Sequence, residues 1–279
     1  ETGPCTISDG DLKINFNSQI TISSNFDTSI KYTKKTHNLK TLQKKFKFLN
    51  TVPILEAKAK NEFSISLDKT YKLDNYLFKS NGKIFVSEIE FQNPLKNDLL
   101  KSEINNLHLK NINFITNIDP KKSNAKVEGE YSTNNKNFLK FDFNNVFKNE
   151  IHSAIFKFDY DKDLELNFIN YEKPKNKVAN LVIDLNKQDN QIKINSAKYQ
   201  EGKNYVLIKD LSINKGKFEG LRKVEVKTFS EDKINNNFSI IFGKKILIKG
   251  DKFDARNLLS NLNQNTKNKS TLKLSKDIN

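Results

Sequence analysis

Alternation of apolar and polar residues, repeated along most of the chain, constrains this sequence more than any other feature. Phe63, Ile65 and Leu67, for example, alternate with two serines. A period of two sends successive side chains to opposite faces of a β-strand, so each such run predicts a strand with one apolar and one polar face. The other apolar positions that follow this period are Leu139, Phe141, Phe143, Phe156, Phe158, Tyr160, Leu164, Leu166, Phe168, Leu181, Ile183, Leu185, Ile192, Ile194, Val206, Ile208, Leu211, Ile213, Val224, Val226, Ile240, Phe242, Ile246 and Ile248. Because Asn, Asp, Gly and Lys separate the runs, the sequence predicts an all-β, mainly antiparallel meander.

Short stretches with helical spacing interrupt this pattern. Residues 37–50 carry apolar side chains on one stripe and stop before Pro53, which predicts a basic amphipathic helix. Residues 254–262 begin with an aspartate at the N-cap position, and a third short helix is predicted over residues 94–100. We expect the first helix to cover an open end or edge of the sheet. Binding to an anionic membrane surface is the alternative.

The predicted strands are compatible with two architectures. One is a long curled sheet whose apolar face forms a groove, and the other is a β-sandwich with that face closed between two layers. The chain has no Trp and no Met to bridge between sheets, and a large exposed apolar face normally marks a ligand or partner site. We expect residues 4–279 to form one elongated β-rich domain, with a subdivision near residues 120–130 as an alternative.

The ends of the chain suggest a piece of a larger protein. Residues 1–3, Glu-Thr-Gly, are typical of the remnant left by a secretion vector, and the chain contains no methionine. The longest uninterrupted apolar run, residues 205–208, is far shorter than the roughly 20 residues of a membrane-spanning helix. We therefore expect a fragment whose signal peptide or membrane anchor lies outside these residues.

The chain is strongly basic, with a formal net charge of +15, yet Arg222 and Arg256 are its only arginines. Proteins that read nucleic-acid bases favour arginine, so we expect no specific nucleic-acid partner. Lys, Asn, Ile and Phe are abundant, as an AT-rich genome imposes on exposed positions. We interpret the lysines as a solvated surface, with a surface facing phosphate or anionic lipid as the alternative.

Patterns that carry catalysis or bind metals and cofactors are missing from the sequence. His37, His108 and His152 have no second ligand at metal-binding spacing, and Cys5 has no histidine partner. We therefore predict no enzyme activity, no catalytic or metal-binding residue and no cofactor. The acidic residues 159–163 predict a hairpin turn, with a weak calcium loop as the alternative.

The last third of the chain resembles a known family. Ile192-Lys193-Ile194, residues 207–218 and residues 246–259 are similar to the AsmA-like family of bacterial envelope proteins, which includes the TamB and YhdP types. The strongest likeness is a strand that ends in Gly250, followed by Phe-Asp-Ala-Arg at residues 253–256 and then two leucines.

This resemblance implies a segment of a periplasmic protein anchored in the inner membrane. Such proteins are thought to carry phospholipid toward the outer membrane along an apolar β-sheet groove, and the partners are then phospholipid acyl chains. The positions expected to line the groove are Phe141, Phe143, Phe156, Phe158, Leu166, Phe168, Ile183, Ile194, Ile208, Ile213, Val226, Phe242 and Ile248. We expect Asp254 and Arg256 to cap the last helix. A secreted or surface β-protein that binds acidic glycans or protein partners is the alternative function.

Overall fold

The structure is a computed structural model of the 279-residue chain. It describes residues 4–17, 19–35, 43–44, 47–95, 103–174, 176–254 and 256. These residues fall into two compact units. Unit 1 contains the described residues up to Leu95 and from Glu103 to Phe156, and unit 2 contains those from Lys157 onward.

Unit 1 consists of long strands in sequence order. They are β1 (Cys5–Phe16), β2 (Ile20–Thr33), β3 (Ile54–Leu67), β4 (Leu73–Leu95), β5 (Ile104–Ile118), β6 (Lys122–Ser132), β7 (Leu139–Lys148) and the first part of β8 (Ile151–Tyr160). A 3-10 helix, η1 (Lys47–Thr51), precedes β3 and contacts β4.

Unit 2 contains the rest of β8 and shorter strands. These are β9 (Glu165–Leu166), β10 (Tyr171–Glu172), β11 (Ala179–Gln188), β12 (Gln191–Glu201), β13 (Asn204–Asn214), β14 (Lys217–Gly220), β15 (Lys223–Ser230), β16 (Lys233–Phe242) and β17 (Ile246–Lys252). A second 3-10 helix, η2 (Asn167–Ile169), connects β9 to β10.

The long strands belong to one antiparallel sheet. Its order is β1 to β8 in sequence, then β11, β12, β13, β15, β16 and β17, while β14 pairs with β13 and β9 pairs with β10 separately. Among the described residues, extensive contacts between strands are limited to neighbours in a ladder. The predicted all-β antiparallel fold is therefore confirmed, and the described residues contain no second long sheet of the kind a β-sandwich needs. The expectation of a single domain stays a prediction.

Tight turns set the register of several hairpins. Asn149 and Glu150 form the two-residue loop between β7 and β8, and Glu231 and Asp232 form that between β15 and β16. All four residues have positive φ. A two-residue loop with positive φ at both positions has the twist of the flanking strands, so these turns hold each pair in one alignment.

Bulges keep the apolar residues on one face where the alternation changes phase. In the β11–β12 pair, Asp184 lies opposite Ser196 but Leu185 lies opposite Ile194, so Asn195 is an extra residue. An inserted residue reverses the facing of the residues beyond it. Ile194 therefore shares a face with Ala197 even though the two are separated by an odd number of positions.

The structure corrects two predicted elements. Residues 164–168 were expected to form a regular strand, but only Glu165–Leu166 is a strand and Asn167–Ile169 is a 3-10 helix. Pro94 and Leu95 end β4 instead of beginning a helix, and the rest of that predicted helix lies outside the described residues.

The other two predicted helices lie mostly outside the described residues. Of residues 37–50, Gln43 and Lys44 are helical and Lys47–Thr51 is the 3-10 helix η1, while only 254 and 256 of residues 254–262 are described. Within the part of the chain that the structure describes, no helix has the length and hydropathy needed to cross a membrane.

Candidate functional site

Unit 1 has most of its large apolar side chains on one face of the sheet. Residues directly opposite each other in an antiparallel pair point to the same side. Phe63 lies opposite Phe78, and Val127 lies opposite Phe143. The registers from β2 to β7 join these pairs into a continuous surface, which we call the apolar face of unit 1.

The opposite face of unit 1 is polar and carries ion pairs between neighbouring strands. Lys79 Nζ lies 3.1 Å from Glu62 Oε2, and Lys110 Nζ lies 3.9 Å from Glu130 Oε2. Such partly exposed pairs contribute little to stability. They do balance part of the positive charge of this face locally.

Aromatic residues of β6, β7 and β8 form the densest part of the apolar face of unit 1. The rings of Tyr131 and Phe141 meet edge to face with centroids 6.3 Å apart, and the rings of Phe143 and Phe156 lie 4.4 Å apart. The structure thus brings together Phe141, Phe143 and Phe156, three of the predicted groove residues. Phe156 remains 40% exposed.

The exposed fractions of the phenylalanine side chains indicate whether the apolar surface forms a closed core. Among the phenylalanines that the structure describes, only Phe238 is buried. Two packed sheets would enclose most such side chains between them. Phe141 and Phe143 are instead half-buried, so parts of both rings face solvent.

Two glycines of unit 1 leave room for bulky side chains of the neighbouring strands. A Cβ added at Gly82 would stand 2.7 Å from the ring of Phe114, and one added at Gly129 would stand 2.9 Å from Ile112 Cγ1. Side chains on adjacent strands therefore fill these gaps. This packing buries Ile112 almost completely without a second layer.

Unit 2 has a corresponding apolar face. Ile183, Ala197, Ile208, Val224, Ile240 and Ile248 are successive cross-strand partners and form one row from β11 to β17. The predicted residues Ile194, Ile213, Val226 and Phe242 lie on the same side, opposite Leu211, Ile192, Val206 and Ile246 respectively. We call this surface the apolar face of unit 2.

One end of the apolar face of unit 2 is closed by residues 163–174, which we call the strap. Ile169 and Leu166 of the strap pack with Tyr199, Val206 and Val226 of the sheet in one buried cluster, which also contains Tyr171, Ala179 and Phe238. Ile169 is 0% exposed and Val226 is 1% exposed. The rest of the face, around Ile194, Ile213, Phe242 and Ile248, is partly or fully exposed.

Buried polar side chains hold the strap in place. Asn236 is fully buried, and its Nδ2 donates hydrogen bonds to the carbonyl of Ile169 and to Thr228 Oγ1, each at 2.8 Å. Lys173 is 1% exposed and donates to three backbone carbonyls, of which that of Lys177 is closest at 2.6 Å. Because buried polar groups are costly without partners, these bonds favour one position of the strap.

A hydrogen-bonded tyrosine pair joins Tyr171 of the strap to Tyr199 of β12. Tyr171 Oη lies 2.9 Å from Tyr199 Oη and donates to Glu201 Oε2 at 3.4 Å, while Asn204 donates to the same carboxylate oxygen at 2.6 Å. Burial, with a smaller effect from Glu201, raises the pKa of Tyr199 to about 12. Burial and the Tyr199 hydroxyl also raise the pKa of Tyr171 above its usual value.

Asp254 connects the end of the sheet to the strap. Its carboxylate accepts hydrogen bonds from Asn170 Nδ2 at 2.9 Å and from Arg256 Nε at 2.8 Å, and its backbone N–H donates to Asn236. The Arg256 guanidinium holds the pKa of Asp254 well below its usual range. Arg256 N–H also donates to Asp254, as expected of a residue that caps a helix start, while residues 257–262 of the predicted helix lie outside the described residues.

The structure corrects the predicted lining at three positions. Leu166 and Val226 belong to the closed cluster and have almost no accessible surface. Phe168 is 47% exposed but lies on η2 in the strap, not on the sheet. Phe158 lies on β8 and is half-buried. A groove-lining role for the remaining predicted residues stays a prediction.

The strap was not predicted from the sequence. Ile169, Tyr171, Tyr199 and Asn236 close one end of the face, and none of them was among the predicted site residues. The available signal was the loss of alternation after Phe168, where Ile169 follows directly and Asn170 and Pro174 interrupt the pattern.

The histidines, the cysteine and the acidic clusters show no metal-binding arrangement in the described part of the chain. No group of three or more His, Cys, Asp or Glu side chains is arranged to hold a metal ion there. His108 lies 3.8 Å from Glu88, His152 stacks on Phe147, Cys5 is exposed, and His37 lies outside the described residues. The acidic residues 159–163 lead into the strap, where Tyr160 donates to the carbonyl of Asp163.

Comparison of the chain with protein-family models, with curated proteins and with solved structures finds no match. The two apolar faces and the sequence features described above are therefore the evidence for function.

Proposed function

We propose that this chain is a non-enzymatic segment of an AsmA-like protein of the bacterial envelope. Its apolar faces shield phospholipid acyl chains during transport between the inner and outer membranes. The segment works in the periplasm, and the full-length protein is anchored in the inner membrane. The resemblance of residues 192–259 to that family supports the assignment.

The observation that carries this proposal is a single sheet with an apolar side that the described residues cover only in part. A row of aliphatic side chains crosses unit 2, and half-buried aromatic rings cluster in unit 1. Large exposed apolar surfaces are costly in water and normally mark binding sites. An acyl chain that covers such a surface gains about 0.8 kcal/mol for each methylene removed from water.

The uniformly apolar character of the two faces suits lipid transport. Aliphatic and aromatic side chains bind a hydrocarbon chain without directional bonds, so a lipid can shift along the surface without breaking a specific contact. Among the described residues, the strap closes one end of the apolar face of unit 2, and buried hydrogen bonds hold it there. No catalytic residue is needed for this mechanism.

Substitution on opposite faces of β8 tests the proposal. Phe156 and its neighbour Ile155 are 40% and 39% exposed and point to opposite sides of the sheet. Native mass spectrometry of gently purified protein should detect bound phospholipid in the unsubstituted chain and in Ile155→Glu. Phe156→Glu should lose the lipid and keep its circular dichroism spectrum.

Two results would count against the function. Equal lipid binding by both variants would show that the apolar face of unit 1 is not the binding surface, and unfolding of Phe156→Glu would show that the position belongs to a closed core. An absence of lipid in the unsubstituted chain, combined with tight retention on heparin, would favour adhesion to acidic glycans. The paired charges on the polar face of unit 1, such as Lys79 with Glu62, argue against adhesion.

A further inference from the structure

A concavity in unit 1 combines an apolar floor with a basic rim. It has a volume of about 980 Å³. Its walls come from residues 43–44 and 47–51 and from the end of β4, and the described residues that line it are Gln43, Lys44, Lys47, Asn50, Thr51, Ile89, Phe91, Gln92 and Asn93. A cavity of this size is at the upper end of the range for small-molecule sites in proteins, which is roughly 300–1,000 Å³.

The floor of this concavity is continuous with the apolar face of unit 1. Ile89 lies directly opposite Leu107 of β5, and Ser87, two residues earlier on β4, lies opposite Leu55 and Leu109. Alternation along β4 places Phe91 on the same side as Ile89. A hydrocarbon chain on the apolar face of unit 1 can therefore extend into the concavity without crossing a polar surface.

The rim has the chemistry of an anion site. Lys44 and Lys47 are exposed, and none of the nine lining residues is acidic. Among the described residues, no carboxylate lies within ion-pair distance of either lysine, whereas the nearby Lys34 is 3.8 Å from Glu90 and donates to the Asn50 carbonyl. The side chains of Asn50, Gln92 and Asn93 add amide donors for phosphate oxygens, while the amide of Gln43 donates to Tyr32 Oη at 3.4 Å.

We propose that this concavity binds the headgroup of an anionic phospholipid whose acyl chains lie on the apolar face of unit 1. The inference rests on the proposed function and adds the class of lipid. Lys44 and Lys47 would contact the phosphate, Ile89 and Phe91 would contact the first methylenes, and zwitterionic lipids would bind more weakly.

The test measures lipid choice. The chain is incubated with vesicles of equal parts dioleoyl phosphatidylglycerol and dioleoyl phosphatidylcholine, then separated from them, and the bound lipid is quantified by mass spectrometry. Phosphatidylglycerol should be enriched in the unsubstituted chain. Lys44→Glu/Lys47→Glu should reduce this enrichment by roughly fivefold for each lysine. Binding of phosphatidylcholine should stay unchanged.

A control variant separates a local site from net charge. Lys58 and Lys60 are exposed on the polar side of β3, so Lys58→Glu/Lys60→Glu changes the net charge by the same amount at a distant surface. This control should keep the preference. Equal losses in both variants, or no loss in either, would overturn the headgroup site.

The same experiment distinguishes failure of this site from failure of the proposed function. Uptake of both lipids without preference leaves acyl-chain binding intact and refutes the headgroup site, whereas no uptake of either lipid refutes both. Titration with inorganic phosphate tests whether the site binds free anions. Phosphate that removes the preference at low millimolar concentration would indicate a site for free anions and overturn the lipid assignment.

Discussion

The two ends of the apolar face of unit 2 share one sequence pattern but differ in burial. Near Val226 the strap covers the sheet and nearly all solvent is excluded. Near Ile248 similar aliphatic residues alternate in the same way, yet that side chain is 58% exposed on an edge strand. Alternation therefore determines which side of a strand is apolar. Whether that side is closed depends on a separate irregular segment.

The largest effect should come from removing the side chain that closes the buried end. Ile169→Ala should lower the free energy of unfolding by about 2–5 kcal/mol, because it leaves a cavity between the strap and the sheet. Ile248→Ala, the same chemical change at the exposed end, should cost well under 1 kcal/mol. Urea titration followed by circular dichroism measures both, and equal costs would remove the distinction between the two ends.

A smaller loss is expected from the buried amide that holds the strap. Asn236→Ala should cost about 1–3 kcal/mol, because the carbonyl of Ile169 and the hydroxyl of Thr228 lose a buried donor. Asn235→Ala is the matched control, since Asn235 is only half-buried and makes a longer bond of 3.3 Å to the carbonyl of Asn170. Hydrogen exchange of the strap amides should increase in Asn236→Ala alone. Unchanged exchange there would contradict this role.

Alkaline pH should weaken the same closed end. Burial raises the pKa of Tyr199 to about 12, against an unfolded value near 10, so between these values the folded chain binds more protons than the unfolded chain. The contribution to stability is therefore complete below about pH 10 and is lost as pH rises toward 12. Unfolding titrations between about pH 10 and pH 12 should show that the free energy of unfolding declines, and that it declines less in Tyr199→Phe. An identical decline in both proteins would mean that groups other than Tyr199 cause it.

The smallest effect is expected at the exposed partner of Asp254. The Arg256 side chain is 72% exposed, so Arg256→Ala should lower the free energy of unfolding only slightly although its ion pair is bidentate. Salt should reduce this loss further. A loss in urea titration as large as that of Asn236→Ala would mean that Arg256 holds the strap as strongly as Asn236 does.

Periodicity alone predicted much of the fold. The pairing of the strand carrying Leu185 with the strand carrying Ile194 followed from apolar residues at every second position and from turn residues between them. The common face of Ile183, Ile208 and Ile248 followed from the same rule. Such patterns are informative because a shift of one residue would expose every apolar side chain of a strand.

The strap and the concavity could not be predicted in this way. Both depend on contacts between residues far apart in sequence, such as Asn236 with Ile169 or η1 with β4. Asparagine is common throughout this chain, so its presence does not indicate a buried position. Leu166 and Phe168 illustrate the resulting error, since their alternation predicted a strand where a 3-10 helix begins.

Photo-crosslinking tests whether acyl chains reach the apolar faces and are excluded from the closed cluster. A phospholipid with a diazirine in its acyl chain would be bound, activated by light, and mapped by peptide mass spectrometry. We predict labels at Phe141, Phe143 and Phe156 and around Phe242 and Ile248, with none at Ile169 or Val226. Labelling confined to the polar faces, or no labelling of a folded chain, would mean that acyl chains do not bind the apolar faces.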